Sequence, residues 1–280
     1  MKQESVKNRS ARWAVLRAGN AFANALKFFK ARSLWITVLV VVVVLGSGFV
    51  GAKLGAHYEI DQLCCQLSPF QSFVVTVKER LGLVTFYSEI GQDKWVSEKV
   101  FPGLKNGFFL DVGAGDGTFN SNTKTLEQKG WTGICVDPFP KNMQDRTCRV
   151  FKEVVSNEAG EKVKFWKGGF WGGIADTLEG EAKSIIQTAP FEEFTTVTLG
   201  DILQRARAPR FINFVSLDIE GGEVNALKGF PFGKYRMGAL AVEHNYQEPK
   251  RSQIKALMES HGYKRVHTSI QDDFYVPANS

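Results

Sequence analysis

Five acidic residues stand where apolar runs end. GFFLDVG breaks at Asp111, TGICVDP at Asp137, FINFVSLDIE at Asp218 and Glu220, and GALAVEHN at Glu243 beside His244. Short apolar runs bounded by turn residues read as buried strands, so each acid is delivered to the carboxyl end of a strand. Carboxylates gathered there can accept hydrogen bonds from hydroxyls, take up a proton, face a positive charge or hold a hard cation. Directly after Asp111 come Gly113, Gly115 and Gly117, with Asp116 among them. A strand, a glycine turn and then helix-compatible residues bring a ligand close to the backbone.

The residue types around this turn restrict the ligand. A phosphate-cradling loop of the G-x-x-x-x-G-K-[ST] kind needs a Lys and a hydroxyl residue after its glycines, and neither is present. A dinucleotide turn reads G-x-G-x-x-G; Gly113 and Gly115 fit, but Thr118 holds the third position. Asp111 and Asp116 are poor neighbours for a pyrophosphate, whereas opposite charge attracts an ammonium and a sulfonium. Asp137 closes the next strand, where a carboxylate can accept from both hydroxyls of a ribose, and Pro138 stops that strand from extending. These features describe an S-adenosylmethionine site built from Asp111, Gly113, Gly115, Asp116, Asp137 and Pro138.

Around these positions strands and helices alternate. Residues 118–130 read as a helix ended by Gly130, CRVFKEVVS as a third strand and EKVKFWK as an extra edge strand. LGDILQRA reads as a helix with Asp201 near its start, followed by the strand ending at Asp218 and a helix over 222–228. After the strand ending at Glu243, residues 253–261 read as a helix, and YKRVHTS and DDFYVPA as final strands. Such alternation predicts a mostly parallel sheet covered on both faces.

LDVGAGDGTFN, VDPFP, EVVSNEAG, VTLGDIL and FVSLDIEGGEVNALKGF together resemble the FkbM family of S-adenosylmethionine-dependent methyltransferases. The most distinctive piece is D-x-E-G-x-E, here Asp218, Glu220, Gly221 and Glu223. The likeness covers roughly residues 86–276. YSEIGQD, residues 87–93, resembles the S-Q-x-G-Q-D lead-in of a subgroup that is often membrane anchored, with Glu89 where that subgroup commonly has Gln. The resemblance implies a Rossmann-like class I methyltransferase, α/β with a doubly wound, mostly parallel seven-stranded sheet. It also implies transfer to a hydroxyl oxygen, with sugars and polyketides among the acceptors.

That chemistry asks for an aligned nucleophile and a base for the hydroxyl proton. Asp218, Glu220 and His244 are the candidate catalytic residues, His244 because an unperturbed imidazole titrates near neutrality. Gln92 and Asp93 are candidates to close over the methionine end of the cofactor. Plainer roles exist. Glu223 can favour the positive end of its helix, and Asp218 and Glu220 can shape their turn through backbone N–H groups or bind a divalent cation with substrate hydroxyls. No zinc-type spacing occurs, and no metal ligand is assigned. FWKGGFWGGIADTL, residues 165–178, offers Trp166, Phe170 and Trp171 either as a stacking wall for a sugar ring or as an edge hairpin packed on the domain.

Charge and hydropathy divide the chain. Of the net charge of +6, residues 1–32 carry +7, so the remainder is slightly acidic and nucleic-acid binding by it is not expected. SLWITVLVVVVVLGSGFVGA, residues 33–52, has no charge over a length that spans a hydrocarbon core. We expect a cytosolic arm at 1–32, a transmembrane signal anchor at 33–53, a stalk and lead-in helix at 54–85 and a methyltransferase domain at 86–280. The positive flank lies before the span, which predicts a type II protein with its domain in the secretory lumen, the Golgi foremost. An acid-poor, partly amphipathic arm also fits a mitochondrial presequence. Cys64 and Cys65 can cross-link two chains or be acylated, and Cys135 reads as buried packing.

The sequence therefore predicts an anchored S-adenosylmethionine-dependent O-methyltransferase acting on a hydroxyl, foremost of a glycan. Two alternatives stand beside it. One is a catalytically silent trafficking or binding protein with the same fold; the other is a methyltransferase for a small molecule or lipid of an organelle.

Overall fold

The structure, a computed structural model, describes residues 85–167, 172–177 and 190–279. The arm, the apolar stretch at 33–53 and the Cys64–Cys65 pair lie outside the described residues. Among those described, no helix is long and apolar enough to cross a membrane.

Among the described residues ten strands follow in chain order: β1 Phe108–Val112, β2 Thr132–Val136, β3 Arg149–Phe151, β4 Val154–Val155, β5 Lys162–Trp166, β6 Phe191–Val197, β7 Phe211–Leu217, β8 Arg236–Glu243, β9 Tyr263–Ser269 and β10 Asp272–Pro277. The helices are α1 Gln92–Trp95, which runs into a π turn at Val96–Val100, then α2 Lys124–Gln128, α3 Leu199–Arg205, α4 Glu223–Lys228 and α5 Lys250–Ser260. Seven strands form the main sheet in the order β3-β2-β1-β7-β8-β10-β9. β10 runs against β8 and β9, and the remaining pairings are parallel.

Successive side chains on a strand point to opposite faces, and the core divides accordingly. Leu110, Val112, Ile134, Val136, Leu217 and Val242 pack against α3, α4 and α5 on one face. Phe109, Cys135, Phe214 and Ala241 pack with Val96, Leu126 and Trp131 on the other. Burial on both faces explains why these strands are apolar throughout rather than alternating.

Local chemistry departs from the sequence reading in four places. The helix expected over 118–130 is confined to α2, because side chains upstream capture the backbone. Asp116 accepts from the N–H groups of Thr118 and Phe119, and the Ser121 hydroxyl accepts from Lys124 N–H. Such local bonds compete with helix formation. The third strand splits: β3 stays in the main sheet, while β4 leaves it to join β5 and β6 in a small second sheet. β6 is absent from the sequence reading, since FEEFTTV is polar and mostly exposed. Cys135 does not serve as packing alone, for it forms a disulfide with Cys148 across a Cα separation of 5.9 Å. The parallel pairing of β2 with β3 brings the two together.

The expected helix around Asp201 has a capping box. Thr198 and Asp201 satisfy each other's backbone N–H groups at the start of α3, which contributes about 1 kcal/mol.

Candidate active site

The carboxyl ends of β1, β2, β7 and β8 open into a cavity of about 1030 Å³. Doubly wound sheets bind ligands at this edge. Gly113 and Gly115 serve it for different reasons. Gly113 has φ +86°, and a Cβ there would lie 1.7 Å from the carbonyl oxygen of Asp218. Its N–H donates to the Val136 carbonyl at 2.8 Å, so the turn is wedged between β2 and the end of β7. Gly115 has φ +44°, and a Cβ there would meet nothing nearer than 3.9 Å. Gly113 is thus required by packing, and Gly115 leaves room for a ligand.

The carboxylates around this turn are well partnered. Asp137 accepts from Gly115 N–H at 2.9 Å and from Phe139 N–H at 2.7 Å. Burial raises its pKa, and the two backbone donors oppose that rise. Asp116 accepts from two backbone N–H groups and from the Asn142 amide. Asp111 accepts from the Thr123 hydroxyl at 2.5 Å. Burial raises its pKa against the pull of Arg146. The Arg146 guanidinium lies beneath the turn and donates to Glu127, to the Gly117 carbonyl and to the hydroxyls of Ser121 and Thr123.

The ends of β7 and β8 differ. After Asp218 the chain turns through Glu220 at φ +56° and Gly221 at φ +116°. A left-handed Glu is unfavourable and persists only where its surroundings impose it. Glu223 imposes it here. Fully buried at the start of α4, its Oε1 accepts from Ile219 N–H at 3.1 Å and Gly221 N–H at 3.0 Å, and its Oε2 from Lys250 Nζ at 3.0 Å. Glu223 therefore clamps the turn rather than merely favouring its helix.

Register places Leu217 beside Val242, so Asp218 stands next to Glu243. Ligand oxygens of Asp218, Glu220 and Glu243 lie within 4.8 Å of one another. Burial raises the pKa of Asp218 and of Glu243 well above the carboxylate range, and the neighbouring acids add to the rise. Burial, then the charge of Glu223, pushes Glu220 up to about 7. Beside them Asp272, which accepts from the Gln92 amide at 2.9 Å, is pushed up to about 6 by burial.

Most of the sequence-selected residues line this cavity: Gln92, Asp111, Gly113, Gly115, Asp116, Asp137, Pro138, Asp218 and Glu220. Two do not. His244 comes one residue after Glu243 and so points to the other face of its strand. Its buried ring accepts from Tyr246 N–H through Nδ1, and its Nε2 lies 3.6 Å from Asp273. Burial lowers its pKa, with Asp273 pulling the other way. The expectation of His244 as the base is therefore corrected, and Glu243 occupies the cavity position. Strand parity was the available signal, since Glu243 pairs in register with the level of Asp218. Asp93 is fully buried and holds the lead-in segment, accepting from Tyr87 N–H, Lys94 N–H and the hydroxyls of Ser88 and Thr125. It positions Gln92 and does not face the cavity.

Trp166 and Phe165 both line the cavity, and Phe165 also packs with Phe139 and Phe194. Phe165 and Ile174 form an isolated antiparallel bridge. Phe170 and Trp171 lie outside the described residues. Among the described lining residues, eight carboxylates (Glu89, Asp111, Asp116, Asp137, Glu153, Asp218, Glu220 and Glu243) face only Lys141 and Lys167. That balance opposes a phosphate-rich ligand and favours a cationic one.

A doubly wound sheet of this order, with its antiparallel strand next to the edge and a glycine turn ringed by carboxylates, defines a Rossmann-like methyltransferase fold. The methyltransferase FkbM domain matches residues 111–265, more than half of the chain, and the protein belongs to that family of methyltransferases. No curated protein sequence matches the chain. Among solved structures, it is similar to PH1948 from Pyrococcus horikoshii, a protein inferred to be an RNA methyltransferase. The identity is 12 %, over 67 % of this chain and 84 % of that one, with a TM-score of 0.33. A score that low carries no argument about function.

Proposed function

We propose that this methyltransferase uses S-adenosylmethionine to methylate a hydroxyl oxygen, foremost on the sugar of a glycan. One observation carries the reading: a single acidic cavity joins the Gly113–Gly115 turn and Asp137 to the Asp218, Glu220 and Glu243 cluster. The residues fit the cofactor. Open space fronts Gly115, Asp137 keeps acceptor capacity for ribose hydroxyls, and the excess of carboxylates complements a sulfonium and an ammonium. The volume is at the upper end for small-molecule sites and leaves room for an acceptor.

When bound, S-adenosylmethionine supplies a methyl group activated by its sulfonium. The chain must do the rest. Gly115 lets the ligand approach the backbone, and Gln92, tied to Asp272, lines the same cavity. Alignment of the acceptor oxygen can contribute on the order of 7 kcal/mol. Glu220, with a pKa of about 7, is poised to take the hydroxyl proton near neutral pH, a step worth roughly 10²–10⁴ in rate. Trp166 offers an aromatic surface at the same cavity for a sugar ring.

The proposal includes a membrane anchor at 33–53 with the domain on the non-cytosolic side. The basic flank before the apolar stretch supports that orientation. The Cys135–Cys148 disulfide also supports it, since disulfides persist in oxidising compartments.

Calorimetry of the full-length chain with S-adenosylmethionine tests the reading, beside Asp137→Ala. We expect micromolar binding in the wild type and a loss of about tenfold or more in the variant, which corresponds to roughly 1.4 kcal/mol. A folded wild-type chain that binds no cofactor overturns the proposal.

A further inference from the structure

The far end of the cavity contains an arrangement that methyl transfer by itself does not require. Asp218 and Glu220 lie in the turn that follows β7, and Glu243 is the last residue of the adjacent parallel strand β8. One oxygen from each can be chosen so that all three lie within 4.8 Å of one another. Glu243 is 3 % exposed and lines the cavity. The Glu243 and Asp218 carboxyl groups are within hydrogen-bonding reach of each other, yet the Oε2 of Glu243 is buried and has no partner among the described residues. Buried polar atoms are almost always partnered, so an orphan carboxylate oxygen facing a cavity marks a place for something the chain does not supply. The neighbouring cation is already used, because Lys250 is bound to Glu223 at 3.0 Å. The Asn245 amide reaches only Glu220, at 3.5 Å.

We propose that Asp218, Glu220 and Glu243 form a binding site for a hard divalent cation, of the Mg²⁺ or Mn²⁺ class, open to the acceptor side of the cavity. All three ligands are carboxylate oxygens, the donors such ions prefer, and bonds of about 2.0–2.6 Å span their spacing with rotamer-scale adjustment. Among the described lining residues no histidine or thiolate faces the cluster, which argues against a softer metal. Glu223 braces the turn through Ile219 and Gly221, giving the ligand set a second layer of support.

The consequence for the reaction rests on the methyl-transfer reading above. A cation there leaves coordination positions for two adjacent hydroxyls, so the favoured acceptor is a vicinal diol rather than an isolated alcohol. A metal-bound hydroxyl is more acidic and can release its proton to water, so with the cation bound Glu220 acts as a ligand and not as the base. This also accounts for a cavity without a histidine base.

The test is a Mn²⁺ titration of the full-length chain freed of metal by a chelator, with unbound Mn²⁺ read by electron paramagnetic resonance. We expect one Mn²⁺ per chain. Glu243→Gln and Asp218→Asn should each weaken binding by more than about tenfold, since even residues that merely orient ligands cost that much. Glu153→Gln, at a cavity acid outside the cluster, should leave it unchanged. A folded wild-type chain that takes up no Mn²⁺ at about 1 mM, the weak end for protein sites, overturns the proposal. So does binding that is unchanged in both cluster variants. Two cluster variants are used so that misfolding of one leaves the other decisive. Cofactor calorimetry on the same samples, with chelator and with Mn²⁺, separates the two ideas. Mn²⁺ bound without cofactor binding removes the methyl-transfer reading and keeps the site; cofactor bound without Mn²⁺ does the reverse.

Discussion

The two ends of the cavity are both acidic, yet they are built in opposite ways. At β1 and β2 the carboxylates are partnered: Asp116 and Asp137 each use both oxygens, one on a donor of their own turn and one on a donor across from it, and Asp111 holds Thr123. At β7 and β8 three carboxylates crowd together, and Glu243 keeps an oxygen with no donor. Buried charge without partners is expensive. The first end is therefore organised before any ligand arrives, whereas the second needs a counter-charge from a proton, a ligand or a cation. Organisation suits a cofactor that is the same in every turnover; unspent charge suits the place where an acceptor is activated.

Gly113→Ala is the most severe way to break this comparison, because that residue joins the two ends. The added Cβ would meet the Asp218 carbonyl at 1.7 Å, at a φ of +86°. We expect a loss of at least about 3 kcal/mol in urea unfolding, from strain and steric displacement together. A wild-type midpoint would mean that the ends are not coupled through this contact.

Cys148→Ser sharpens the contrast from the cofactor side. The disulfide braces β2 against the start of β3, and its removal should cost about 3 kcal/mol. The loss should match the effect of reductant on the wild type and leave the pH dependence of the acidic end unaltered. A changed pH dependence would show that the two ends are mechanically linked.

The smallest expected effect concerns Glu220. Its folded-state pKa of about 7 lies above the ordinary 4.5. The folded state then holds a proton that the unfolded state has lost, so without a cation stability falls as pH rises from about 4.5 to about 7. Glu220→Gln should flatten that fall and be the more stable chain at pH 8 by about 1 kcal/mol, after allowance for solvent screening. Denaturation midpoints at pH 5 and pH 8, with chelator present, check this. A steeper fall in the variant would contradict the charge crowding.

Much of the cofactor end was legible because its determinants are local. Strand, glycine turn and strand-end acid follow one another in the chain, and residue type restricts each. The D-x-E-G-x-E segment was legible for the same reason, although the role of Glu223 as a clamp was not, because its partner Lys250 is 27 residues away. His244 was selected over Glu243 on intrinsic pKa, and strand parity reversed that choice. Asp93 sits beside Gln92 in sequence, yet only Gln92 lines the cavity, while Asp93 is held by Tyr87, Ser88, Lys94 and Thr125. β6 and the diversion of β4 escaped notice, because β6 is a polar strand without an apolar pattern and gains its partners from β4 and β5 on either side.

The order of strands and helices, the acids at strand ends, the glycine turn and the charge division at residue 32 were determined by the sequence itself. These are properties of neighbours, set by backbone sterics, periodicity and side-chain type. The Cys135–Cys148 pairing, the choice of Glu243 over His244, the clamp on Glu220 and the crowding of three carboxylates were decided only in three dimensions. Each depends on which strands lie side by side and in what register, and a shift of one residue would send every one of those side chains to the other face.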